Sequence, residues 1–366
     1  MNRFSDFTTL GVGGPMGHYT NFSSTELLAA DAKNLWSRGG EWLALGGGSN
    51  LVVGDSGFEG HVFHINTRGV TARKTKGSWV ELHAAAGEDW DKLVSYSIGQ
   101  GLRGLETMSG IPGTVGASVI QNIGAYGSEI SDSVVSVDFL EHPSGIRRTV
   151  SAEELELGFR SSAIKKGVLT GIVLGVTFLL QFADDGLSLP IRYNQLAESL
   201  GSPASGTAPL EEVRRTVISI RASKGMILDE SDPDSASAGS FFMNPIVSEK
   251  ISTKLPASTP RWLIGNNSRE LVVPIGSTPH SSAIDYEPAK VKLSAAWLIE
   301  HSGISKGFSL GDSRAAISGK HSLAIVNRGG AAAAEIAELA RFIRTSVKNK
   351  TGIQLEPEPS LIGIAI

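Results

Sequence analysis

A run of three glycines followed by serine and asparagine could bind an anion through its backbone. The segment Leu45–Val53 (LGGGSNLVV) lies between two apolar stretches that are typical of strands. Successive backbone N–H groups in such a turn form a concave nest suited to a pyrophosphate. Because Leu51 stands where the dinucleotide fingerprint needs glycine, and no Gly-Lys-Ser/Thr follows, neither a Rossmann unit nor a P-loop is predicted. The alternative is a tight turn that binds no ligand.

A second glycine-rich stretch runs from Gly104 to Asp132 (GLETMSGIPGTVGASVIQNIGAYGSEISD). Its glycines let a ligand approach the backbone closely, and its amide side chains could bind the edge of a heterocycle. The residues with this potential are Pro112, Gly113, Gly116, Gln121, Asn122 and Tyr126. We expect a loop of roughly 25 residues between Gly101 and Gly127, and long loops inside compact domains usually have a function. A plain surface loop is the alternative.

Three cationic side chains could bind an anionic ligand. Arg160, in GFRSSAIK, lies beside two hydroxyl residues and ahead of a strand, and arginine pairs well with carboxylates. Arg221 and Lys224 are three residues apart and therefore share one face of a predicted helix. Taken alone, each is explained more simply as a solvated surface group.

The remaining candidates are one serine and two carboxylates. Ser240, in AGSFFMNP, has apolar neighbours that could desolvate it, but no histidine is positioned to make it a triad nucleophile. Glu356 and Glu358 flank a proline in LEPEPSLIG, and their spacing alone does not decide which could act as an acid. The eight histidines show no metal-binding spacing, so we expect no metal.

Composition limits the class of protein. The 366 residues suggest two or three domains, and a net charge of −4 gives no reason to expect nucleic acid as a partner. The absence of cysteine excludes disulfides, thiolate catalysis and a cysteinyl-flavin bond. We find no signal-peptide pattern near the N-terminus and no stretch long enough for a membrane helix, and no obligate protein partner is evident. We therefore expect a soluble, cytoplasmic protein without membrane insertion.

Hydrophobic periodicity divides the chain into three α+β segments, residues 1–69, 70–192 and 193–366. The predicted helices are Thr25–Arg38, Asp89–Ile98, Leu210–Lys224, Ser294–His301 and Ala331–Lys350. The predicted strands include Glu41–Leu45, Leu51–Val53, Gly60–Ile65, Trp79–Ala85, Val134–Leu140 and Val168–Leu180. The glycine segments fall at the ends of these elements, where loops can bind a ligand.

Taken in order, these blocks resemble the UDP-N-acetylenolpyruvoylglucosamine reductase family. The resemblance covers nearly the whole chain and runs through TTLGVGGP, LGGGSNLVV, GLETMSGIPGTVGASVIQNIGAYG, GFRSSAIK, GSFFMNP and LEPE. Each block alone is weak, and their order and spacing make the match specific. IRYNQL resembles the family segment with a substrate-contacting tyrosine, here Tyr193.

The resemblance implies an α+β protein with the two-subdomain FAD-binding fold of the vanillyl-alcohol-oxidase (PCMH) type. The subdomains are residues 1–69 and 70–192, and a C-terminal α+β substrate domain follows at 193–366. It also implies that NADPH reduces non-covalent FAD and leaves before the UDP-sugar enters. The implied cofactor-binding residues are Gly46, Gly47, Gly48, Ser49, Asn50, Leu51, Ile111, Pro112, Gly113, Thr114, Gly116, Ala117, Gln121, Asn122, Gly124 and Ala125.

The resemblance assigns the chemistry to three residues. Reduced FAD would deliver hydride to the vinyl carbon of the enolpyruvyl group, Arg160 and Glu358 would stabilise the enolate, and Ser240 would protonate it. Glu358 is preferred to Glu356 because it matches the last acid of the LEPE block. The implied substrate contacts are Tyr126, Tyr193, Arg221, Lys224, Asn244 and Lys292, with Lys224 the candidate for the diphosphate.

Three positions depart from the family pattern. Phe159 replaces the usual tyrosine, Met243 replaces a frequent lysine, and Pro359-Ser360 replaces Val-Arg. None is a predicted catalytic residue, so we expect activity with altered kinetics. Two alternatives remain: another flavin enzyme of this fold, such as a sugar-alcohol oxidase, or a UDP-sugar-binding protein without the chemistry. No residue distinguishes NADPH from NADH.

Overall fold

The first part of the chain forms a small parallel sheet covered by one helix. A computed structural model describes residues 2–203, 205–264 and 290–366. Its first elements are β1 (Met16–Phe22), α1 (Thr25–Trp36), β2 (Trp42–Leu45), β3 (Leu51–Val53) and β4 (Phe58–Ile65). The strand order is β1-β4-β2, and both pairings are parallel. Ser24 caps α1 by accepting the Leu27 N–H at 3.3 Å, which satisfies one of the unpaired donors at the start of the helix.

The second part is built on an antiparallel sheet. Its elements are β5 (Val70–Lys74), β6 (Trp79–Ala85), α2 (Trp90–Gly99), β7 (Leu102–Arg103), α3 (Val115–Gln121), β8 (Gly124–Ala125), β9 (Ser128–Glu129), β10 (Val134–Glu141), β11 (Ile146–Ser151) and β12 (Gly171–Phe182). The sheet order is β11-β10-β12-β6-β5, with β7 added at the end of β12. Most of β12 is buried, because α3 and the rest of the core pack against it.

The expectation that Gly101–Gly127 is a loop throughout is wrong. This stretch contains α3 and a short 3-10 helix, Glu106–Met108. Val115 and Val119 are four residues apart and both fully buried, which is the helical spacing that the glycines obscured. A Cβ at Gly116 would lie 2.8 Å from the Ala86 Cβ, so this glycine lets the helix pack closely rather than breaking it.

The third part contains several helices and short strands. Its elements are α4 (Asn194–Ser199), α5 (Leu210–Ser223), β13 (Ile246–Ser248), α6 (Glu249–Ser252), β14 (Arg261–Ile264), β15 (Lys290–Leu293), α7 (Ala295–His301), β16 (Ala315–Ile317), β17 (Ile325–Asn327), α8 (Ala333–Thr351) and β18 (Ser360–Ile362). Strands β13, β15 and β14 form an antiparallel sheet. The apolar stripe predicted for the last helix is buried in α8 and includes Ile336, Leu339 and Ile343.

The contacts that join the third part to the first include a helix cap and a strand pairing. The Asp55 carboxylate accepts the N–H groups of Ala333 and Ala334 at 2.8 and 2.9 Å, which caps the start of α8. Strand β18 pairs in parallel with β3, with Ser360 opposite Leu51. The end of the chain therefore lies beside the glycine turn at residues 46–50. Within the described ranges, none of the helices has the length and apolar character needed to cross a membrane.

Candidate active site

A cavity of about 430 Å³ lies between the glycine turn, α3 and the third part of the chain. Its size is in the usual range for a ligand site. The sequence-predicted residues on its wall are Gly46, Gly47, Gly48, Ser49, Asn50, Leu51, Ile111, Pro112, Gly113, Thr114, Ala117, Gln121, Gly124, Arg160, Arg221, Ser240 and Glu358. The structure therefore brings together residues from all of the quoted blocks except the first.

The glycine turn presents unused backbone donors to this cavity. In the described part of the chain, the N–H groups of residues 46–50 make no hydrogen bond to protein. Gly48 has φ +61°, and a Cβ there would lie 2.0 Å from the Phe7 carbonyl oxygen, so only glycine fits. A turn with successive free N–H groups is the nest expected for a pyrophosphate.

The second glycine segment packs directly on the first. A Cβ at Gly47 would lie 2.8 Å from the Gly113 Cα, so the two backbones approach too closely for any side chain. The Ser49 hydroxyl donates to the Pro112 carbonyl oxygen at 2.9 Å and fixes this approach. Gly113 itself has φ +125°. The wall therefore exposes backbone where a flat cofactor can lie.

Arg160 and Glu358 form an ion pair on the cavity wall. Arg160 Nε lies 2.9 Å from Glu358 Oε1, with about a fifth of each side chain exposed. The other two guanidinium nitrogens donate to the carbonyl oxygens of Asn122 (3.3 Å) and Gly124 (2.8 Å). Arg160 also has φ +52°, an uncommon backbone conformation that concentrates at functional sites. All three nitrogens of the guanidinium thus have fixed partners.

The segment GFRSSAIK holds Arg160 by wrapping the C-terminal end of α3. Carbonyl groups at a helix end lack partners within the helix. Ser162 Oγ donates to the Ile120 carbonyl oxygen at 2.7 Å, and the Arg160 guanidinium donates to the carbonyl oxygens of Asn122 and Gly124. Asn122 Nδ2 returns a hydrogen bond to the Gly158 carbonyl oxygen at 2.7 Å. Residues of this block therefore orient the arginine and complete the helix end at once.

Lys165 lies on the same wall, although its sequence surroundings do not indicate a functional role. Its Nζ donates to Gln121 Oε1 at 2.6 Å and to the Glu358 carbonyl oxygen at 3.3 Å. Burial lowers the pKa of the Lys165 ammonium, which Glu358 opposes and Arg160 reinforces. Lys165 is the last residue of the GFRSSAIK block, but two adjacent lysines ahead of a strand resemble ordinary surface cations.

Backbone pairing brings Ser240 to the site beside Glu358. The Glu358 N–H donates to the Phe241 carbonyl oxygen at 2.9 Å, and the Met243 N–H donates to the Glu356 carbonyl oxygen at 3.0 Å. Phe241 and Phe242 are fully buried and anchor this strand-like segment. In the described chain the Ser240 hydroxyl makes no hydrogen bond to protein, so it is available to a ligand in the cavity.

The structure separates the two candidate glutamates. Glu358 lines the cavity, whereas Glu356 does not. The Glu356 side chain is 56% exposed and lies 3.9 Å from Arg344 Nη2, and it also accepts from Gln354 Nε2 at 3.2 Å. This geometry favours Glu358 for a role toward the ligand.

Three predicted cofactor residues do not line the cavity: Gly116, Asn122 and Ala125. Gly116 packs α3 against Ala86, as described above. Asn122 is fully buried, and besides Gly158 its side chain binds the Glu129 carboxylate and the Ser131 N–H. The Asn122 side chain is therefore bound within the protein, and the Asn122 carbonyl oxygen accepts a hydrogen bond from Arg160.

The predicted substrate residues lie around the cavity rather than at one point. Arg221 lines the wall and donates to the carbonyl oxygens of Gly110 (3.2 Å) and Met226 (2.9 Å). Burial lowers its pKa, although nearby Tyr126 and Asp91 oppose the shift. Lys224 Nζ donates to Gln195 Oε1 at 2.9 Å, and burial followed by the charge of Arg221 lowers its pKa.

The other substrate candidates contact their own neighbours. The Tyr126 and Tyr193 rings meet edge to face with centroids 5.5 Å apart, and burial raises the pKa of Tyr126. Asn244 Oδ1 accepts the Ala295 N–H at 2.9 Å. Lys292 Nζ lies 5.0 Å from the centroid of the Phe159 ring, a cation–π distance. None of these four residues lines the cavity.

His321 is a second residue near the site whose role its sequence pattern does not predict. Burial, followed by the charges of Lys224 and Lys306, lowers the pKa of His321 to about 4. Its Nδ1 accepts the Leu323 N–H at 3.0 Å, and the Leu323 carbonyl oxygen accepts the Phe241 N–H at 2.7 Å. A neutral His321 therefore supports the turn next to Ser240. Nothing in its sequence surroundings distinguishes it from a surface histidine.

The free N–H groups and the glycine contacts fit a dinucleotide cofactor with its pyrophosphate against the backbone of residues 46–50. Residues 20–151 match the family described as "FAD binding domain". The fold and the site define an α+β, FAD-dependent oxidoreductase in which an FAD-binding domain is followed by a C-terminal α+β domain.

The third part of the chain defines the family. Residues 232–362 match "UDP-N-acetylenolpyruvoylglucosamine reductase, C-terminal domain". A protein from Leifsonia xyli named UDP-N-acetylenolpyruvoylglucosamine reductase is 46% identical to this chain, and the alignment covers 99% of this chain and 98% of that protein. A protein of the same name from Saccharopolyspora erythraea is 44% identical, and the alignment covers 98% of this chain and 94% of that protein. The crystal structure of the reductase from Thermus caldophilus aligns with a TM-score of 0.63 and 27% identity, over 99% of this chain and 97% of that one. The chain therefore belongs to the UDP-N-acetylenolpyruvoylglucosamine reductase family, as the sequence resemblance predicted.

Proposed function

We propose that this chain catalyses the NADPH-dependent reduction of UDP-N-acetylglucosamine enolpyruvate to UDP-N-acetylmuramate, a step in the synthesis of peptidoglycan precursors. One observation carries the proposal: Arg160, Glu358 and Ser240 line a single cavity together with the glycine segments that fit FAD. We assign residues 1–69 and 70–192 to FAD binding, residues 193–366 to the UDP-sugar, and the reaction to the cytoplasm.

The site residues divide the chemistry between charge stabilisation and protonation. FAD reduced by NADPH supplies the hydride that adds to the vinyl carbon of the substrate. Negative charge then develops next to the substrate carboxylate, and donors fixed in advance stabilise it most effectively. The Arg160 guanidinium is fixed in this way by three protein contacts, one of them the Glu358 carboxylate. Ser240 donates its hydroxyl proton to the carbon next to that carboxylate.

The nucleotide sugar would be bound by cations and aromatic rings near the cavity. Lys224 is our candidate for the diphosphate, and its neighbour Arg221 on the cavity wall adds a second positive charge. Tyr126 and Tyr193 form an edge-to-face pair that can pack against an apolar part of the ligand. We assign Asn244 and Lys292 to the substrate as well, on the resemblance alone.

The experiment that tests this function separates the two half-reactions. Under anaerobic conditions, the flavin of the purified protein is expected to bleach with NADPH and to regain its colour with the enolpyruvyl UDP-sugar. Ser240→Ala should leave the bleaching rate nearly unchanged and slow the return of colour by about a hundredfold or more, because protonation is lost. Ser231→Ala, at an exposed serine, is the matched control.

Different failures would point to different errors. A flavoprotein that bleaches with NADPH but ignores the sugar would refute the proposed substrate while leaving the fold intact. Equal loss of both half-reactions in Ser240→Ala would refute the proton-donor role. Flavin that stays with the protein after acid precipitation would favour a covalent flavin oxidase of the same fold.

A further inference from the structure

The side chain of Gln121 lies between a cation and an anion on the cavity wall. Its Oε1 accepts from Lys165 Nζ at 2.6 Å, and its Nε2 donates to Glu358 Oε1 at 3.1 Å. The same Glu358 oxygen lies 2.9 Å from Arg160 Nε. The carboxylate thus has two donors, and one of them is an amide whose orientation must be correct.

Only one orientation of this amide is compatible with an ammonium at Lys165. An ammonium has three donors and no acceptor, so the Gln121 oxygen must face it. Rotating the amide by half a turn would place its NH₂ against the ammonium and its oxygen against the carboxylate, which loses both hydrogen bonds and creates two repulsive contacts. Because Gln121 is only 8% exposed, water is a poor replacement for either partner.

Lys165 is itself well placed to impose this orientation. Its N–H donates to Ser162 Oγ at 3.0 Å, and Ser162 Oγ donates in turn to the Ile120 carbonyl oxygen, one residue before Gln121. Its second side-chain hydrogen bond goes to the Glu358 carbonyl oxygen at 3.3 Å. Lys165 therefore contacts both the amide and the main chain from which the carboxylate projects.

We propose that Lys165 is a positioning residue for the reduction proposed above, fixing the orientation of the Gln121 amide and so directing the Glu358 carboxylate toward Arg160. The inference rests on the proposed function, because it concerns the step in which Arg160, held in place by the Glu358 carboxylate, stabilises negative charge on the sugar substrate. No negative charge develops on a carboxylate substrate when NADPH reduces the flavin, so we expect that half-reaction not to depend on this arrangement. The two half-reactions therefore respond differently to a loss of Lys165.

The test compares Lys165→Met, Lys165→Arg and a double-mutant cycle with Gln121→Leu in anaerobic stopped-flow experiments. We expect Lys165→Met to keep the flavin spectrum and the rate of bleaching by NADPH, and to be reoxidised by the enolpyruvyl UDP-sugar about tenfold or more slowly. Lys165→Arg keeps a donor-only cation and should retain the reoxidation rate within about threefold. Lys166→Met is the matched control, since that lysine is half exposed and pairs with Glu156 at the surface.

The double mutant decides whether Lys165 acts through Gln121. If it does, Lys165→Met in the Gln121→Leu background should slow reoxidation by at most about threefold further, because coupled residues are not additive. Fully additive losses would show that Lys165 does not act through Gln121 and would overturn the inference. Wild-type reoxidation in Lys165→Met would also overturn it. If the wild-type enzyme itself ignored the sugar, the proposed function would fail instead, and the two failures are distinguishable.

Discussion

Replacing Arg160 by lysine tests whether a planar, three-point cation is needed in the site. The guanidinium contacts Glu358 Oε1 at 2.9 Å and the carbonyl oxygens of Asn122 and Gly124 at 3.3 and 2.8 Å, using a different nitrogen for each. Lysine keeps the charge but has one nitrogen, which cannot reach three acceptors in these directions. Both residues have a Cβ, so the cost of the positive φ at this position is the same and the comparison isolates the head group.

The size of the effect follows from the hydrogen bonds that a lysine cannot make. A hydrogen bond to a charged group contributes about 1.5–3 kcal/mol, and each 1.36 kcal/mol changes a rate about tenfold. A lysine that these three protein contacts do not hold in place is expected to lose one charged hydrogen bond to the substrate, so the reaction with the sugar should be roughly tenfold to 150-fold slower. Removing a single donor to a developing oxyanion costs a comparable factor of about 10²–10³ in well-studied enzymes.

The assay is reoxidation of the NADPH-reduced protein by the enolpyruvyl UDP-sugar under anaerobic conditions. We expect the flavin of Arg160→Lys to be bleached by NADPH at the wild-type rate. Its reoxidation by the sugar should be slower than that of wild type by roughly tenfold to 150-fold. Arg148→Lys, at a surface arginine that pairs with Glu154, should behave as wild type in both half-reactions. Wild-type reoxidation in Arg160→Lys would remove Arg160 from the mechanism and refute the reasoning.

Three further predictions concern the cofactor, the acid and the fold. In Gly113→Ala, the new Cβ would lie 2.7 Å from Ser49 Oγ, and the residue would have to keep φ +125°. The purified variant should therefore contain much less FAD than wild type, as measured by flavin absorbance. Full FAD occupancy would count against a cofactor site built from this backbone. Glu358→Gln should slow reoxidation by the sugar about tenfold or more, whereas Glu356→Gln should not, and the opposite order would reverse our assignment. Although burial alone raises the pKa of Asp91, hydrogen bonds from Arg214 and the Gly110 N–H bring it below the ordinary 3.8. Its contribution to the free energy of unfolding is therefore complete above about pH 4 and lost as pH falls below it. Because the Asp91 side chain is 34% exposed, solvent weakens this contribution. We expect the difference in unfolding free energy between wild type and Asp91→Asn, measured by urea unfolding, to shrink by only about 1 kcal/mol from pH 6 to pH 3. A difference that stays constant over this pH range would contradict the prediction.

The sequence was sufficient for features that depend on local pattern. The buried stripe of α8 and the turn at residues 46–50 between two strands follow from periodicity and glycine chemistry, and both are present in the structure. The family resemblance also followed from the order of short blocks, and the comparisons confirm it. The helix, the turn and each short block depend on residues that are close together in the sequence.

The sequence pattern did not predict which side chains face the cavity or which distant residues they contact. Gln121 and Asn122 are adjacent amides in the same block, yet one lines the cavity and the other is turned into the protein at the end of α3. Helix α3 itself was hidden because a glycine inside a helix lowers its local preference, and only contact with Ala86 explains that glycine. Lys165 acquires its partners from Gln121 and from Glu358, 193 residues away along the chain.

Two of the residues that depart from the family pattern, Phe159 and Ser360, keep interactions that do not depend on the missing groups. Phe159 lacks a hydroxyl, but its ring face still lies 5.0 Å from Lys292 Nζ and 5.6 Å from Arg160 Cζ, and that interaction needs only the π-system. Ser360 replaces a cation, but its N–H donates to the Asn50 carbonyl oxygen at 3.0 Å, a hydrogen bond that any residue except proline can make. Since the ring and the backbone are retained, these changes should affect what the site binds more than how the site is built.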